Sequence, residues 1–199
     1  MTINPKVIDL YHENEEPDWE LAYKSGIRGV IHKATEGGFD VDSKYAEREQ
    51  RARSAGLLWG AYHFIRPWDP GQQAEHFCNA IGRDTLPVLD HEDRNVPLWA
   101  ALRWLQLVRK ILGHAPVLYT GFLIREQEDN RHMPAFSEFP LWLAEYGPVA
   151  KVPLPWTKCL FWQYTDGKVG PEPHRIDGVP EGVDVSSFDG TDDELKAAW

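Results

Sequence analysis

Cysteine is nearly absent: among 199 residues only Cys78 and Cys159 occur. One pair cannot form the disulfide framework of a small secreted scaffold, and neither sits in a zinc-type spacing, so both read as buried free thiols. Long apolar runs are missing too. No stretch approaches the ~18 apolar residues of a membrane span, and residues 1–20 contain no apolar signal core, so the expectation is a chain made soluble in the cytoplasm without membrane insertion. Positive charge is scarce, with 31 acidic against 21 basic residues and a formal net charge of −10. That balance disfavours nucleic acid, whose binding rests on cations meeting phosphates, and removes non-specific attraction to anionic membranes or wall polymers. No Gly-rich phosphate loop follows the first strand, which weakens a doubly wound open sheet, and no Gly-x-Ser-x-Gly elbow supports a Ser-His-Asp triad. No cofactor is implied.

Aromatic residues, by contrast, are plentiful: nine Trp, seven Tyr and eight Phe. They suit core packing, and they also permit a carbohydrate cleft, which needs flat apolar faces flanked by hydrogen-bonding groups. No repeat or low-complexity linker divides the chain, so residues 1–199 read as one domain. Short β-branched runs alternate with amphipathic ones. Strands are expected at Val7–Leu10, Gly29–Lys33, Leu58–Phe64, Pro87–Asp90 and Pro116–Thr120, with helices at Ser43–Ala55, Gln72–Ile81 and Leu98–Leu112. The last has Pro97 near its start and Gly113 just past its end. Beyond residue 135 further strands are expected at Leu141–Ala144, Lys158–Tyr164 and Gly182–Phe188, joined by Pro-rich loops. The fold class is α/β: about five β/α units in a closed or nearly closed barrel, with a helix-poor, loop-rich final third.

The carboxylates fall at telling places. Asp9 ends the first strand, Asp90 and Glu92 end the fourth, and Asp184 lies in the last. Strand C-terminal ends of a parallel barrel converge on one face, where side chains from several strands meet. Asp90 and Glu92 are two apart, so in extended backbone both point to one side. Two acids side by side in a partly dry cleft repel, which raises one pKa and produces a general acid beside an ionised partner. Glycoside hydrolysis uses that division. Singly, Asp9 or Asp184 could cap a loop, and Asp90-His91-Glu92-Asp93 could be a hydrated turn. His32, His63 and His91 near strand ends allow a metal reading, but no His pair has helical i, i+4 spacing and no Cys joins them, so no metal is assigned.

At this point the chain resembles the family 25 glycoside hydrolases, the Chalaropsis-type lysozymes common among phage endolysins. The resemblance runs from about residue 6 to 190, through Ile8-Asp9, the segment Gly29 to Gly37, the segment Ala55 to Phe64, Leu86 to Glu92, Pro116 to Thr120, Leu141 to Tyr146, Phe161 to Tyr164 and Val183 to Phe188. It implies a flattened, irregular TIM-like barrel and cleavage of the β-1,4 bond between N-acetylmuramic acid and N-acetylglucosamine, with overall retention. It implies Glu92 as proton donor, Asp90 as second key carboxylate, and Asp9 and Asp184 completing an acidic floor. The attacking group is an enzyme carboxylate or the substrate's own 2-acetamido group. Tyr62, Trp142, Tyr146, Gln163, Tyr164 and Lys33 match substrate-binding positions, and Lys33 and Glu36 are expected to form an ion pair or hydrogen-bond network near the floor. The chain departs from the family at Tyr11, where a small hydroxyl residue is common, and at His91, usually aliphatic and expected to point outward.

The implied partner is peptidoglycan glycan strands, cut by a monomeric muramidase of phage or prophage origin that acts on the wall after release, with no separate wall-binding module. The alternative is a non-catalytic sugar-binding barrel or a hydrolase of another N-acetylated glycan such as chitin.

Overall fold

In the computed structural model, which describes residues 3–127 and 133–199, the chain begins β1 (Pro5–Leu10), α1 (Trp19–Lys24), β2 (Gly29–Glu36), β3 (Asp40–Val41), α2 (Tyr45–Ser54), β4 (Leu58–Phe64), α3 (Pro70–Ala80), β5 (Leu86–Asp90) and α4 (Leu98–Leu112). It continues β6 (Val117–Thr120), α5 (Leu123–Glu126), α6 (Met133–Phe136), β7 (Leu141–Ala144), β8 (Phe161–Thr165), β9 (Asp184–Ser187) and α7 (Asp192–Ala198). Neighbouring strands run β1-β2-β4-β5-β6-β7-β8-β9, and β9 returns to β1, so eight strands close a barrel while β3 forms a hairpin on β2. Closure leaves no barrel edge exposed to pairing. Seven strands are parallel; β9 is antiparallel to both β8 and β1.

Alternation divides the side chains into two cores. Outward residues such as Ile8, Val30, Trp59, Leu89, Leu118 and Trp162 pack under the helices. Inward residues such as Val7, Ile31, Val88, Val117, Trp142 and Phe161 fill the barrel. The inner core is sealed at the strands' N-terminal end by α7: Leu195 packs into it, and the Trp199 indole lies over Gly29 while donating to the Trp59 carbonyl at 2.9 Å. A Cβ at Gly29 would sit 2.5 Å from that ring, so bare backbone is what admits the plug.

The helix ends follow local chemistry. Asp69 accepts from the backbone N–H groups of Gly71 and Gln72, which starts α3 at Pro70, two residues before the expected Gln72. Gly113, with φ +86°, terminates α4 as expected. Helix α1 was not expected: six residues capped by Asp18 are too short to show a period. Of the five β/α units, the fifth is reduced. Among the described residues, α5 and α6, four residues each, follow β6, and the final third is loop-rich as expected.

Candidate active site

Each acid reaches the site by the same alternation. In β1, Val7 and Asp9 face inward while Ile8 and Leu10 face out. In β5, Val88 and Asp90 face inward, Leu89 faces out, and Glu92 follows two residues past the end. Asp184 arrives differently from what was anticipated. Because β9 runs antiparallel, its first residue, not its last, lies at the strands' C-terminal face, where it pairs in register with Asp9. All four line one cavity of about 240 Å³, together with Tyr62, Tyr119 and Trp142. A larger cavity of about 880 Å³ lies at the other end, near the start of β7 and beside Phe188, and has an apolar wall including Phe139 and Trp156. Chemistry, rather than size, picks the site.

The cluster is electrostatically frustrated. Burial, then the Asp184 charge, pushes Asp9 well above the usual carboxylate range. Burial, then Glu92 and Asp9, does the same to Asp90, with Lys33 pulling the other way. Partial desolvation raises Glu92, although the residue opens onto the cleft and is solvent-exposed. Asp184, raised chiefly by burial and by Asp166, lies at about 7 and stands beside Asp9 in the strand register. Four carboxyls with raised pKa values do not all ionise readily, so the group as a whole tends to retain protons. Asp90 adds a further feature: its Oδ1 is buried and, among the described residues, has no hydrogen-bond partner.

The remaining expected residues divide. Tyr62 and Trp142 line the cavity, and the Trp142 indole donates to Ser186 Oγ at 2.8 Å. Gln163 acts on the floor rather than on its wall: Nε2 donates to Asp9 Oδ2 at 3.0 Å, and Oε1 accepts from the hydroxyls of Tyr119 at 2.9 Å and Tyr146 at 3.0 Å. Tyr164 does not line the cavity. It follows Gln163 in β8, so it faces outward, is fully buried in the outer core, and donates to the Pro173 carbonyl at 2.8 Å. Lys33 is off the cavity wall, in an ion pair with Glu36 as expected. The histidines weighed as metal ligands lie between strands and helices: His32 stacks on Trp59, His63 on Trp104, and His91 faces outward to the Val96 carbonyl at 3.0 Å.

The cavity residues absent from the sequence-predicted site include Tyr119, Tyr11 and Asn14. Tyr119 was within reach, since it follows Val117 at the inward spacing of β6. Tyr11 and Asn14 were not, because they sit in the loop after β1, held by the buried Arg48 guanidinium through the Tyr11 carbonyl at 2.9 Å and the Asn14 carbonyl at 2.7 Å.

The chain is similar to several known proteins. The autolytic lysozyme of Clostridium acetobutylicum is 31% identical over 92% of this chain and 55% of its own length. The muramidase from Trichobolus zukalii superposes with a TM-score of 0.81 at 29% identity, covering 97% of both chains. The CTP1L endolysin gives 0.72 at 29% identity over 98% of this chain and 69% of its own. The family model of the glycosyl hydrolases family 25 matches residues 8–172, a span that holds three of the four clustered acids, and the chain belongs to that family.

Proposed function

We propose that the protein is an N-acetylmuramidase that hydrolyses the β-1,4 bond between N-acetylmuramic acid and N-acetylglucosamine in peptidoglycan. The observation that carries the reading is the placement of Glu92, raised in pKa and open to the cleft, beside the buried Asp90 oxygen that has no hydrogen-bond partner among the described residues. Glu92 gives its proton to the glycosidic oxygen as the bond to the sugar carbon breaks, and Asp90 supplies negative charge to the oxocarbenium-like transition state. Attack on that carbon comes from Asp90 itself or from the 2-acetamido oxygen, whose N–H then satisfies the Asp90 oxygen. Water deprotonated by the Glu92 carboxylate completes hydrolysis with retention. A de-N-acetylated glycan separates the two routes, because only the enzyme nucleophile cuts it.

The deciding experiment is borohydride reduction of purified wall after digestion. Reduced muramic acid at the new ends supports a muramidase; reduced glucosamine, or cleavage of chitin oligomers in preference to wall, rejects it in favour of another N-acetylated glycan. Similarity to an endolysin supports a phage-type role, in which a monomer reaches the wall from the cytoplasm once the membrane is breached. Cells producing the protein would then lyse only after membrane permeabilisation. Lysis without it removes that role and leaves the chemistry untouched.

A further inference from the structure

Beside the acid cluster lies a second charged group that hydrolysis does not use directly. Arg66, in the loop after β4, donates through Nε to Glu36 Oε1 at 2.8 Å and through a terminal nitrogen to Asp93 Oδ2 at 3.1 Å. Glu36 also receives Lys33. The aromatic ring of Phe64 supports both cations, with the Arg66 guanidinium carbon 4.6 Å and the Lys33 ammonium 5.3 Å from its centroid. This position is built, not incidental. Buried Gln73 of α3 accepts from the Arg66 backbone N–H at 2.8 Å and donates to its carbonyl at 2.9 Å, with His63 behind it.

The tetrad adjoins the reacting carboxyls on two sides. Glu36, Phe64 and Asp90 stand in one register row across β2, β4 and β5, and Asp93 is the next residue after Glu92. The groups acting on Asp90 are Glu92, Asp9 and Glu36, which oppose its ionisation, and Lys33, which favours it. Tyr62 and Tyr119 complete its surroundings as hydroxyls whose pKa values are raised first by burial and then by the neighbouring carboxylates, Asp90 among them. Glu36 itself is pushed up by burial, but its hydrogen bonds to Lys33 and Arg66 outweigh that and hold it below its ordinary value.

We infer that Arg66 is a positioning residue that sets the protonation of the Asp90–Glu92 pair, by neutralising Glu36 so that the Lys33 ammonium acts on Asp90, and by fixing the turn that carries Glu92 through Asp93. The inference rests on the acid roles proposed above for Asp90 and Glu92. Two cations and two anions make the tetrad neutral. Arg66→Met leaves it at −1, Arg66→Met with Glu36→Gln restores neutrality, and Glu36→Gln alone leaves it at +1.

The test is the pH dependence of kcat/KM on purified wall. In Arg66→Met both limbs of the profile move to higher pH, by roughly half a pH unit or more for a unit charge at this range. Restoring neutrality in the double variant returns them, and Arg66→Lys keeps them in place while lowering kcat, because lysine lacks the planar fork. Glu36→Gln alone moves them to lower pH, which keeps the test available should Arg66→Met fail to fold. Unmoved limbs in Arg66→Met, or limbs in the double variant that stay where Arg66→Met puts them, overturn the inference. If Glu92→Gln were fully active, the underlying reading would fall instead, so the two failures are distinguishable.

Discussion

The lower and upper halves of the barrel interior are built by the same strands, one inward step apart, and they do opposite work. Val7 is followed by Asp9, Ile31 by Lys33, Val88 by Asp90, Val117 by Tyr119 and Phe161 by Gln163. The lower members are fully buried apolar side chains that pack together under the Trp199 plug. The upper members are acids and the groups that orient them. A spacing of two residues keeps a side chain on the same face, so a strand can change from packing to chemistry without a change in backbone. The lesson is a division of labour. The lower layer supplies the burial that tolerates an upper layer of mutually repelling carboxyls.

Breaking the lower layer should give the largest effect. Phe161→Ala removes a fully buried ring and should cost about 3–5 kcal/mol of stability by denaturant unfolding, while whatever protein stays folded keeps its KM. An effect below about 1 kcal/mol would deny that layer its structural role. Breaking the upper layer should do the reverse. Glu92→Gln is expected to lower turnover at least ~100-fold, about 2.7 kcal/mol of barrel-face chemistry, with the thermal midpoint unchanged or raised. Near-normal turnover would remove Glu92 as the acid.

The strain between the layers should be visible in pH. Asp184 has a folded pKa of about 7 against an ordinary value of 3.8, so between those values the folded state binds more protons than the unfolded chain. Stability therefore rises as pH falls from about 7 towards 4, and Asp184→Asn should flatten that slope. A midpoint that falls steadily over this window, in wild type and variant alike, would contradict the assignment. Smallest of all, Tyr164→Phe loses one outward hydrogen bond and should cost about 0.5–1.5 kcal/mol with no change in KM, whereas Tyr62→Phe, on the cavity wall, should raise KM. A KM change in Tyr164→Phe would sharpen the boundary differently, placing β8's outer face in contact with substrate.

What could be read in the sequence follows the same division. Strands with clean alternation were legible, and with them Asp9, Asp90 and Glu92, because an acid at a strand's end in a parallel barrel has one place to go. Asp184 was placed in the last strand, but the reversal of that strand was not legible: direction depends on which neighbours it joins, and nothing local encodes that. Tyr164 was misplaced because family position was followed where alternation from Gln163 already pointed outward. Helix α7 was missed although its capping box, Thr191 with Glu194, is present in the sequence. Its seven residues, too few for a period, become a helix by packing Leu195 beneath the barrel. Tyr11 and Asn14 depend on Arg48, more than thirty residues away, and no short-range signal carries that.

The antiparallel last strand has a consequence in time. Asp9 and Asp184 are neighbours in space and far apart in sequence, so their meeting closes a very long loop and belongs to a slow, non-local step. Until that step, the growing chain carries three acids and no enclosed floor. A hydrolase with this connectivity is expected to gain its complete acidic floor only after Asp184 has docked beside Asp9.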